Sequence, residues 1–242
     1  MPTIYEVVFR LRTAVRRITF ADVHRLACYL VEEPGPEAHA AQVKSFSVWP
    51  LHYDNDRWYL TINAINDSEQ WDRRINDRLA KTPHLGPDIP LVEPRLHVAR
   101  VSFSEIAKQS PRTRQRVTFV SPTTFSRNGR SYALPDPVLI HRQLARKWNL
   151  FAPPELKWSD ETVEQLCQTV VLESANIEAS RLPNLGSRVG FVGSAEFRTE
   201  HTSAAIFSSL WHFATFCGVG SLTTQGLGAV QLPIDERSVR TK

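Results

Sequence analysis

The chain is poor in cysteine and contains no long apolar segment. Its 242 residues include three cysteines, at positions 28, 167 and 217, and no two of them are close in sequence. Structural zinc sites need paired cysteines such as C-x-x-C, so none is expected here. No apolar run approaches the ~18 residues that a membrane helix requires. The first residues alternate apolar and polar side chains, unlike a signal peptide, which favours a cytoplasmic protein without membrane contact.

Motifs for common ligands and nucleophiles are missing as well. A P-loop ends in a Gly-Lys pair, and neither this pair nor G-x-S-x-G occurs in the chain. No histidines and carboxylates share the spacing of metal ligands. We therefore expect neither a metal nor an organic cofactor. The RNA-recognition signature with its aromatic residues is also absent, so no sheet face is expected to read RNA in the usual way.

Basic residues are concentrated in one stretch, although the net charge is only +4. Between residues 108 and 148, nine lysines and arginines accompany a single acidic residue, Asp136. A solvated surface normally mixes both signs, so this excess predicts a surface for a nucleic-acid backbone. The arginines expected to contact RNA are Arg127, Arg130, Arg142 and Arg146.

Four of the ten glycines fall within eleven residues near the C-terminus. Apolar residues at helical spacing over 204–217 predict a helix that ends at Gly218. Gly218, Gly220, Gly226 and Gly228 then lead into a final strand. Glycine allows positive φ, and successive exposed amides in such a loop can bind an anion. The alternative is a loop that needs glycine only for a tight turn.

Apolar periodicity predicts two halves with the same β-α-β-β-α-β order, which is that of a ferredoxin-like domain. In the first half we expect strands at 3–14, 46–49, 57–62 and 97–103 and helices at 21–32 and 68–81. In the second half we expect strands at 116–120, 170–178, 189–198 and 229–232 and helices at 137–148, 161–169 and from 202. Residues 121–125 are predicted to break the first strand of the second half.

The predicted fold class is therefore α+β, with tandem ferredoxin-like (RRM-like) domains and a C-terminal glycine-rich loop. Residues 110–113 are the predicted linker. An N-terminal domain would span 1–110 and carry the candidate catalytic histidines. A C-terminal domain would span 114–242 and carry the glycine-rich loop and RNA binding.

The glycine-rich loop carries a resemblance to a known family. Its pattern G-x-G-x-x-T-x-x-G-x-G, with Thr223 as the threonine, resembles the signature loop of the CRISPR repeat-processing endoribonucleases. They form the sixth Cas family of the RAMP superfamily. Members often carry a basic residue before the threonine, where this chain has Leu222. Further blocks similar to those of the family, in the same order, are Ser121–Phe125, Pro135–Pro137, Trp148–Asn149 and Gly190–Gly193.

This resemblance implies metal-independent cleavage of precursor CRISPR RNA within its repeats. The 2′-hydroxyl attacks the adjacent phosphorus and leaves a 2′,3′-cyclic phosphate and a 5′-hydroxyl. The repeat RNA is the expected partner, and other Cas effector-complex proteins or a second copy of the chain are further candidates. The loop residues expected to bind RNA are Gly218, Gly220, Ser221, Thr223, Gly226 and Gly228.

Such a reaction needs a base at the 2′-oxygen, an acid at the leaving oxygen and positive charge on the phosphorane. The resemblance implies an active-site histidine just after the first helix, which here is His39. His24 is the second candidate, because similar enzymes often carry Tyr or His there. Lys44 is expected to neutralise the phosphorane. Each has an ordinary alternative, since isolated surface histidines and lysines are common.

Two other functions stay open at this point. A non-catalytic RAMP subunit of an effector complex would bind repeat RNA with the same loop and basic stretch, and would use His39 only structurally. A ferredoxin-like enzyme for a small phosphorylated ligand would not need so basic a surface. Cleavage of RNA in the presence of a chelator would distinguish a nuclease from the non-catalytic subunit. A steep salt dependence of RNA affinity would exclude the enzyme for a small phosphorylated ligand.

Overall fold

The computed structural model of the protein describes residues 1–11, 18–33, 44–66, 69–86, 89–182 and 188–233. The first half contains β1 (Thr3–Leu11), α1 (Phe20–Val31), β2 (Phe46–Val48), β3 (His52–Asp54), β4 (Arg57–Ala64), α2 (Glu69–Leu79), β5 (His84–Leu85), β6 (Ile89–Arg100) and α3 (Phe103–Ala107). The second half contains β7 (Arg114–Thr123), β8 (Phe125–Arg127), β9 (Arg130–Tyr132), α4 (Pro137–Phe151), α5 (Asp160–Thr169), β10 (Val171–Arg181), β11 (Val189–Arg198), α6 (Ala204–Cys217) and β12 (Val230–Gln231). Of the helices in these residues, none is long and apolar enough to cross a lipid bilayer.

Each half contributes one antiparallel sheet. Within the described residues, the first sheet has the order β2-β4-β1-β6-β5, with β3 paired to β4, and the second has the order β10-β11-β7-β12. In both sheets the first strand of the half lies between the third and fourth main strands, as in a ferredoxin-like unit. The predicted α+β class with tandem ferredoxin-like halves is confirmed. Strands β8 and β9 form a separate hairpin.

Two helices begin where local sequence signals predict. At α1, the Thr19 hydroxyl accepts a hydrogen bond from the Asp22 amide, and the Asp22 carboxylate accepts one from the Thr19 amide. At α4, Asp136 accepts a hydrogen bond from the Leu139 amide, and Pro137 occupies the first turn. Both arrangements satisfy amides that have no partner inside the helix.

The predicted strand at 97–103 is wrong at its C-terminal end. β6 begins earlier and ends at Arg100, and Ser102 starts helix α3 instead. The Ser102 hydroxyl accepts from the Glu105 amide, and the Glu105 carboxylate accepts from the Ser102 amide at 2.7 Å. This reciprocal cap overrides the apolar run that suggested a strand. In helix α3, the Phe103 side chain packs in the core of the second half.

The predicted break at 121–125 is wrong as well, because β7 runs on to Thr123 and β8 begins at Phe125. The pairing of β7 with β11 shifts register between the pairs Phe119–Gly193 and Thr123–Phe191. Pro122 falls in this irregular interval, where a residue without an amide proton is tolerated in a strand. The strand therefore carries its C-terminal end as far as the glycine-rich loop.

Helix α6 joins the two halves. It is buried along most of its length, and its aromatic residues lie in the core of the second half. At its C-terminal end the carbonyl of Phe216 accepts a hydrogen bond of 2.6 Å from the buried Ser47 hydroxyl in β2. The end of α6 is thus fixed against the first sheet. The domain boundary at residues 110–114 stays a prediction.

His141 in α4 is fully buried among aromatic rings of the second half. Its ring stacks on Phe207 with centroids 5.3 Å apart and meets Trp211 edge to face. The Nδ1 proton is donated to the Pro137 carbonyl at 2.7 Å. Burial lowers the pKa of His141 to about 4. Burial also lowers the pKa of His212, with a further contribution from Arg112.

We expect the free energy of unfolding to fall as the pH drops from 6.5 towards 4, because in this range the unfolded chain takes up a proton at His141 that the folded chain excludes. The pKa difference corresponds to about 3 kcal/mol when the change is complete. Denaturant unfolding at several pH values measures it. His141→Phe should remove most of the dependence, whereas His97→Phe at an exposed strand position should retain it. The same pH dependence in both variants would contradict this role of His141.

Candidate functional site

The glycine-rich loop, residues 218–228, is closed at its base by backbone hydrogen bonds. Val219 donates to the Gly228 carbonyl at 2.8 Å, and Gly228 donates to the Pro122 carbonyl at 3.1 Å. The amide of Ser221 donates to the Thr124 carbonyl at 2.7 Å. The loop is therefore fixed to the C-terminal end of β7, at the root of the β8–β9 hairpin.

Two glycines are required by close backbone contacts. A Cβ at Gly228 would lie 1.9 Å from the Val219 carbonyl oxygen, and one at Gly220 would lie 2.4 Å from the Thr124 carbonyl oxygen. Both residues also have positive φ, 68° and 83° respectively. Any side chain at these positions would push the two backbone segments apart. Glycine is thus needed for the backbone geometry of the loop at these two positions, as in the tight-turn alternative of the sequence analysis.

Helix α4 holds the first part of the loop. The side-chain amide of Gln143 forms two hydrogen bonds with Gly220, accepting from its amide at 2.7 Å and donating to its carbonyl. One turn later, the Lys147 ammonium donates to the Cys217 carbonyl at 2.9 Å, at the negative end of α6. Burial lowers the pKa of Lys147. These contacts orient the loop relative to the basic face of α4.

The amides of the loop divide into two groups, and this corrects the expectation of a continuous row of exposed amides. Those of Val219, Gly220 and Ser221 donate within the protein. Those of Leu222, Thr223 and Thr224 have no acceptor among the described residues. Leu222 adopts a left-handed conformation with φ 62°, which costs a residue with a Cβ about 1–2 kcal/mol. The amides of residues 222–224, which have no acceptor in the described part of the chain, thus lie together in the middle of the loop.

A cleft of about 390 Å³ lies beside these free amides. It is lined by Lys44, Gln143, Arg146, Lys147 and residues 220–224. Three of the lining side chains are cationic, and one of them, Lys44, comes from the first half of the chain. Cationic side chains and backbone amides together favour an anion such as a phosphate group.

The His24 ring is fixed at the other side of the loop. Its Nδ1 proton is donated to the Thr224 carbonyl at 2.8 Å, and the Phe20 ring, one turn earlier in α1, lies against Gly226. Since Nδ1 carries the proton of the neutral ring, Nε2 carries the lone pair. The Cys28 sulfur lies 3.5 Å from Nδ1 and 3.6 Å from Nε2. His24 is thus part of the loop's surroundings.

Lys44 forms an ion pair with Glu32 at the C-terminal end of α1. The ammonium nitrogen lies 2.7 Å from the Glu32 carboxylate, and the two side chains are only 18% and 13% exposed. His24, Cys28 and Glu32 follow one another at four-residue intervals on one helix face. Burial and the charge of Glu32 raise the pKa of Cys28 to about 12, so this thiol stays protonated.

The structure places the predicted site residues in different surroundings. Lys44, Arg146, Gly220, Ser221 and Thr223 line one cleft, and His24 contacts the loop at the Thr224 carbonyl. Arg127 and Arg130 flank the exposed turn of the β8–β9 hairpin, where Arg127 lies over the Tyr132 ring. Arg142 does not line the cleft, and its guanidinium pairs with Glu164 of α5 at 2.8 Å. His39 lies outside the described residues.

Residues 117–230 match the profile of a family described as CRISPR-associated endoribonuclease Cas6. The second half of the chain is thus similar to Cas6 endoribonucleases. The matched range contains β7, the basic helix α4 and the glycine-rich loop, so it covers most of the cleft lining. The first half of the chain contributes Lys44 and His24 from outside that range.

Individual Cas6 proteins resemble the chain to different extents. One from Mycobacterium tuberculosis is 31% identical over 134 residues, which cover 54% of this chain and 42% of that protein. The chain thus matches less than half the length of this curated relative. A solved Cas6 product complex has a TM-score of 0.80 at 21% identity, covering 96% of this chain and 99% of that one. Thermus thermophilus Cas6 has a TM-score of 0.70 at 20% identity, covering 96% and 98%. At this identity the solved structures establish a shared Cas6 fold.

Sequence reasoning named neither Gln143 nor Lys147 of the cleft lining as a site residue, nor Glu32, the partner of Lys44. A signal for Gln143 was present, since it shares a helical face with Arg146 and Lys147 three and four residues later. Glu32 follows His24 by eight residues on the same face of α1. In the part of the chain that the structure describes, no group of three or more His, Cys, Asp or Glu side chains has the geometry to hold a metal ion.

We expect Gly228→Ala to lower the free energy of unfolding by about 2–5 kcal/mol, because the new Cβ adds a backbone clash to the cost of positive φ. Gly129→Ala is a matched control. Gly129 has φ 74° in the β8–β9 turn, and no atom lies within 4 Å of the position of its Cβ. Its replacement should cost only about 1–2 kcal/mol. Equal losses in denaturant unfolding would show that the loop can move to admit a side chain.

Proposed function

We propose that this chain is a metal-independent endoribonuclease that cleaves precursor CRISPR RNA within its repeats. One observation carries the proposal: the cleft brings cationic side chains, free loop amides and Lys44 together next to the loop that His24 holds. The match of residues 117–230 to the Cas6 family supports it. So does the presence of a Cas6 product complex among its structural relatives.

Substrate binding would rest on the charge of the cleft. A phosphate of the RNA backbone would be bound by Arg146, by Lys147 and by the amides of residues 222–224. The carbonyls of residues 217 and 220 are already used by Lys147 and Gln143, so they present little negative charge to the cleft. Arg127 and Arg130 would bind RNA backbone farther along the strand, from the exposed hairpin turn. Each neutralised phosphate releases counterions and makes affinity salt-dependent.

The reaction would follow from groups placed around one phosphodiester. A base removes the proton of the 2′-hydroxyl, and the 2′-oxygen forms a bond to phosphorus while the bond to the 5′-oxygen breaks. An acid delivers a proton to that 5′-oxygen. The products are a 2′,3′-cyclic phosphate and a 5′-hydroxyl, and no oxidant or external nucleophile is consumed. Lys44 would stabilise the additional negative charge of the phosphorane.

His39 and His24 are the proposed proton carriers, and His39 remains the first candidate because of its position after α1. For His24, donation of Nδ1–H to the Thr224 carbonyl leaves Nε2 as the atom that would accept a proton. A histidine is suited to either role near neutral pH. A histidine-to-alanine mutant of a Cas6 protein is among the solved relatives of similar fold.

The proposed partners extend beyond the RNA. One solved structure with a similar fold, at 13% identity, is a partial Cas6-RT-Cas1–Cas2 complex, so that Cas6 is joined to other Cas proteins. Other Cas proteins and a second copy of the chain stay candidate partners here. If the chain binds repeat RNA without cutting it, it is instead a non-catalytic subunit of an effector complex. A cleavage assay with repeat RNA in EDTA separates the two.

We expect purified protein to cut repeat RNA in the presence of EDTA and to leave a 2′,3′-cyclic phosphate. His39→Ala and His24→Ala should each slow cleavage by about 10²–10⁴-fold if each residue transfers a proton. His84→Ala, at an exposed position in β5, is the control and should cleave at the wild-type rate. Product ends are read by denaturing gels before and after acid or phosphatase treatment. Tight RNA binding without cleavage by the wild-type protein would favour the non-catalytic alternative.

We expect Arg146→Ala to weaken RNA binding and to reduce the slope of log affinity against log salt concentration by about 1, because it removes one phosphate contact. Arg142→Ala is the comparison, since Arg142 is on the same helix but is paired with Glu164 outside the cleft. It should change both quantities less. Filter binding or fluorescence anisotropy at several salt concentrations measures them. Indistinguishable effects of the two variants would argue against the cleft as the RNA site.

A further inference from the structure

The C-terminal end of α1 is neutralised by arginines of another helix. No basic residue lies in the last turn of α1 itself. Instead, Arg74 of α2 donates to the Val31 carbonyl at 2.7 Å, and Arg78 of α2 donates to the carbonyls of Tyr29 and Glu32, the latter at 2.7 Å. Three carbonyls at the negative end of α1 thus receive cationic donors from outside the helix.

These contacts continue into the cleft through Glu32. Its backbone carbonyl is bound by Arg78, and its side chain is bound by Lys44 at 2.7 Å. Arg74 adds a second anchor, because its other guanidinium nitrogen lies 2.7 Å from the Glu33 carboxylate. Arg78, Glu32 and Lys44 therefore form an unbroken series of hydrogen bonds from α2 to a cationic side chain of the cleft wall.

Two cations act on the C-terminal end of α1, where one cation already complements the negative end of a helix. Here two arginines one turn apart bind the same helix end. Their proximity is unfavourable, since burial and the charge of Arg74 lower the pKa of Arg78. The Arg78 guanidinium also lies 5.5 Å from the centre of the Tyr29 ring, which further restricts its orientation.

We propose that Arg78, assisted by Arg74, is a positioning residue that sets the location of Lys44 in the cleft through the last turn of α1 and Glu32. The inference rests on the proposed function of that cleft in cleaving RNA. Arg78 does not line the cleft, so it acts on the reaction only through Lys44. A displaced catalytic group loses rate steeply, with losses of up to roughly 10²-fold for a shift of 1 Å.

The test is single-turnover cleavage of repeat RNA by Arg78→Ala, combined with measurement of RNA affinity. Cleavage is expected to slow by about 10-fold, since Lys44 is displaced rather than removed, while the dissociation constant changes by less than about 2-fold. Arg78→Lys should fall in between, because an ammonium keeps the charge but lacks the planar guanidinium that lies over the Tyr29 ring. Arg73→Ala is the matched control, because Arg73 is exposed on the same helix and contacts none of these carbonyls.

A double-mutant cycle distinguishes positioning from a general loss of structure. In a Lys44→Ala background, adding Arg78→Ala should change the remaining cleavage rate by less than about 2-fold, because the group that Arg78 positions is gone. A full further loss in that background would overturn the proposal. So would wild-type cleavage by Arg78→Ala. If Arg78→Ala does not fold in a thermal melt, the same cycle is run with Arg78→Lys.

The proposed function and the positioning role of Arg78 are tested by different measurements. Cleavage by the wild-type protein and by Arg73→Ala reports on the proposed function, whatever Arg78 does. The positioning role is measured by the cleavage rate of the Arg78 variants divided by that of Arg73→Ala, once with Lys44 present and once in the Lys44→Ala background. A protein that cuts RNA equally well with and without the Arg78 guanidinium would keep its function and lose this inference.

Discussion

The hydrogen bond from the Val219 amide to the Gly228 carbonyl is the constraint on which the functional site depends. It pairs the two ends of the glycine-rich loop so closely that no Cβ fits at residue 228. With the ends paired, the middle of the loop lines the cleft together with α4 and Lys44. The left-handed conformation of Leu222 and the free amides that follow it lie in this part of the loop.

The site exists only because the two halves meet at the end of α6. The Ser47 hydroxyl of the first sheet donates to Phe216, two residues before Gly218. From there, Phe20 and His24 of α1 contact the far side of the loop, while Lys147 and Gln143 of α4 hold its near side. Neither half alone contains both the amides proposed to bind phosphate and the side chains proposed for proton transfer and charge neutralisation.

Much of the fold could be predicted from the sequence, because its signals are local. The Thr19–Asp22 and Asp136–Pro137 helix starts, the alternating strands and the glycine pattern each depend on residues that are close in the chain. Two local signals were misread. Ser102 and Glu105 cap a helix where an apolar run suggested a strand, and Pro122 lies within β7 because its missing amide proton coincides with a register shift.

The site was only partly predictable, because its geometry comes from contacts across the whole chain. Lys44, Arg146 and Gly220 were identified beforehand and line one cleft, and His24 contacts the loop beside it. The role of Gln143 depends on a partner 77 residues away, and that of Glu32 on side-chain packing around α1. Likewise, no pattern in the sequence distinguishes Arg142, paired with Glu164, from Arg146 one turn later.

The closed loop base has a consequence for how this segment can diverge during evolution. Its length is set by two backbone pairings, and two of its glycines have no room for a side chain. Insertions, deletions and replacements at the base would therefore be selected against even in descendants that bind another partner. The side chains of Leu222, Thr224 and Gln225 are partly exposed, so substitutions there can change what the loop contacts. New binding specificity would therefore evolve at these positions without altering the supporting backbone.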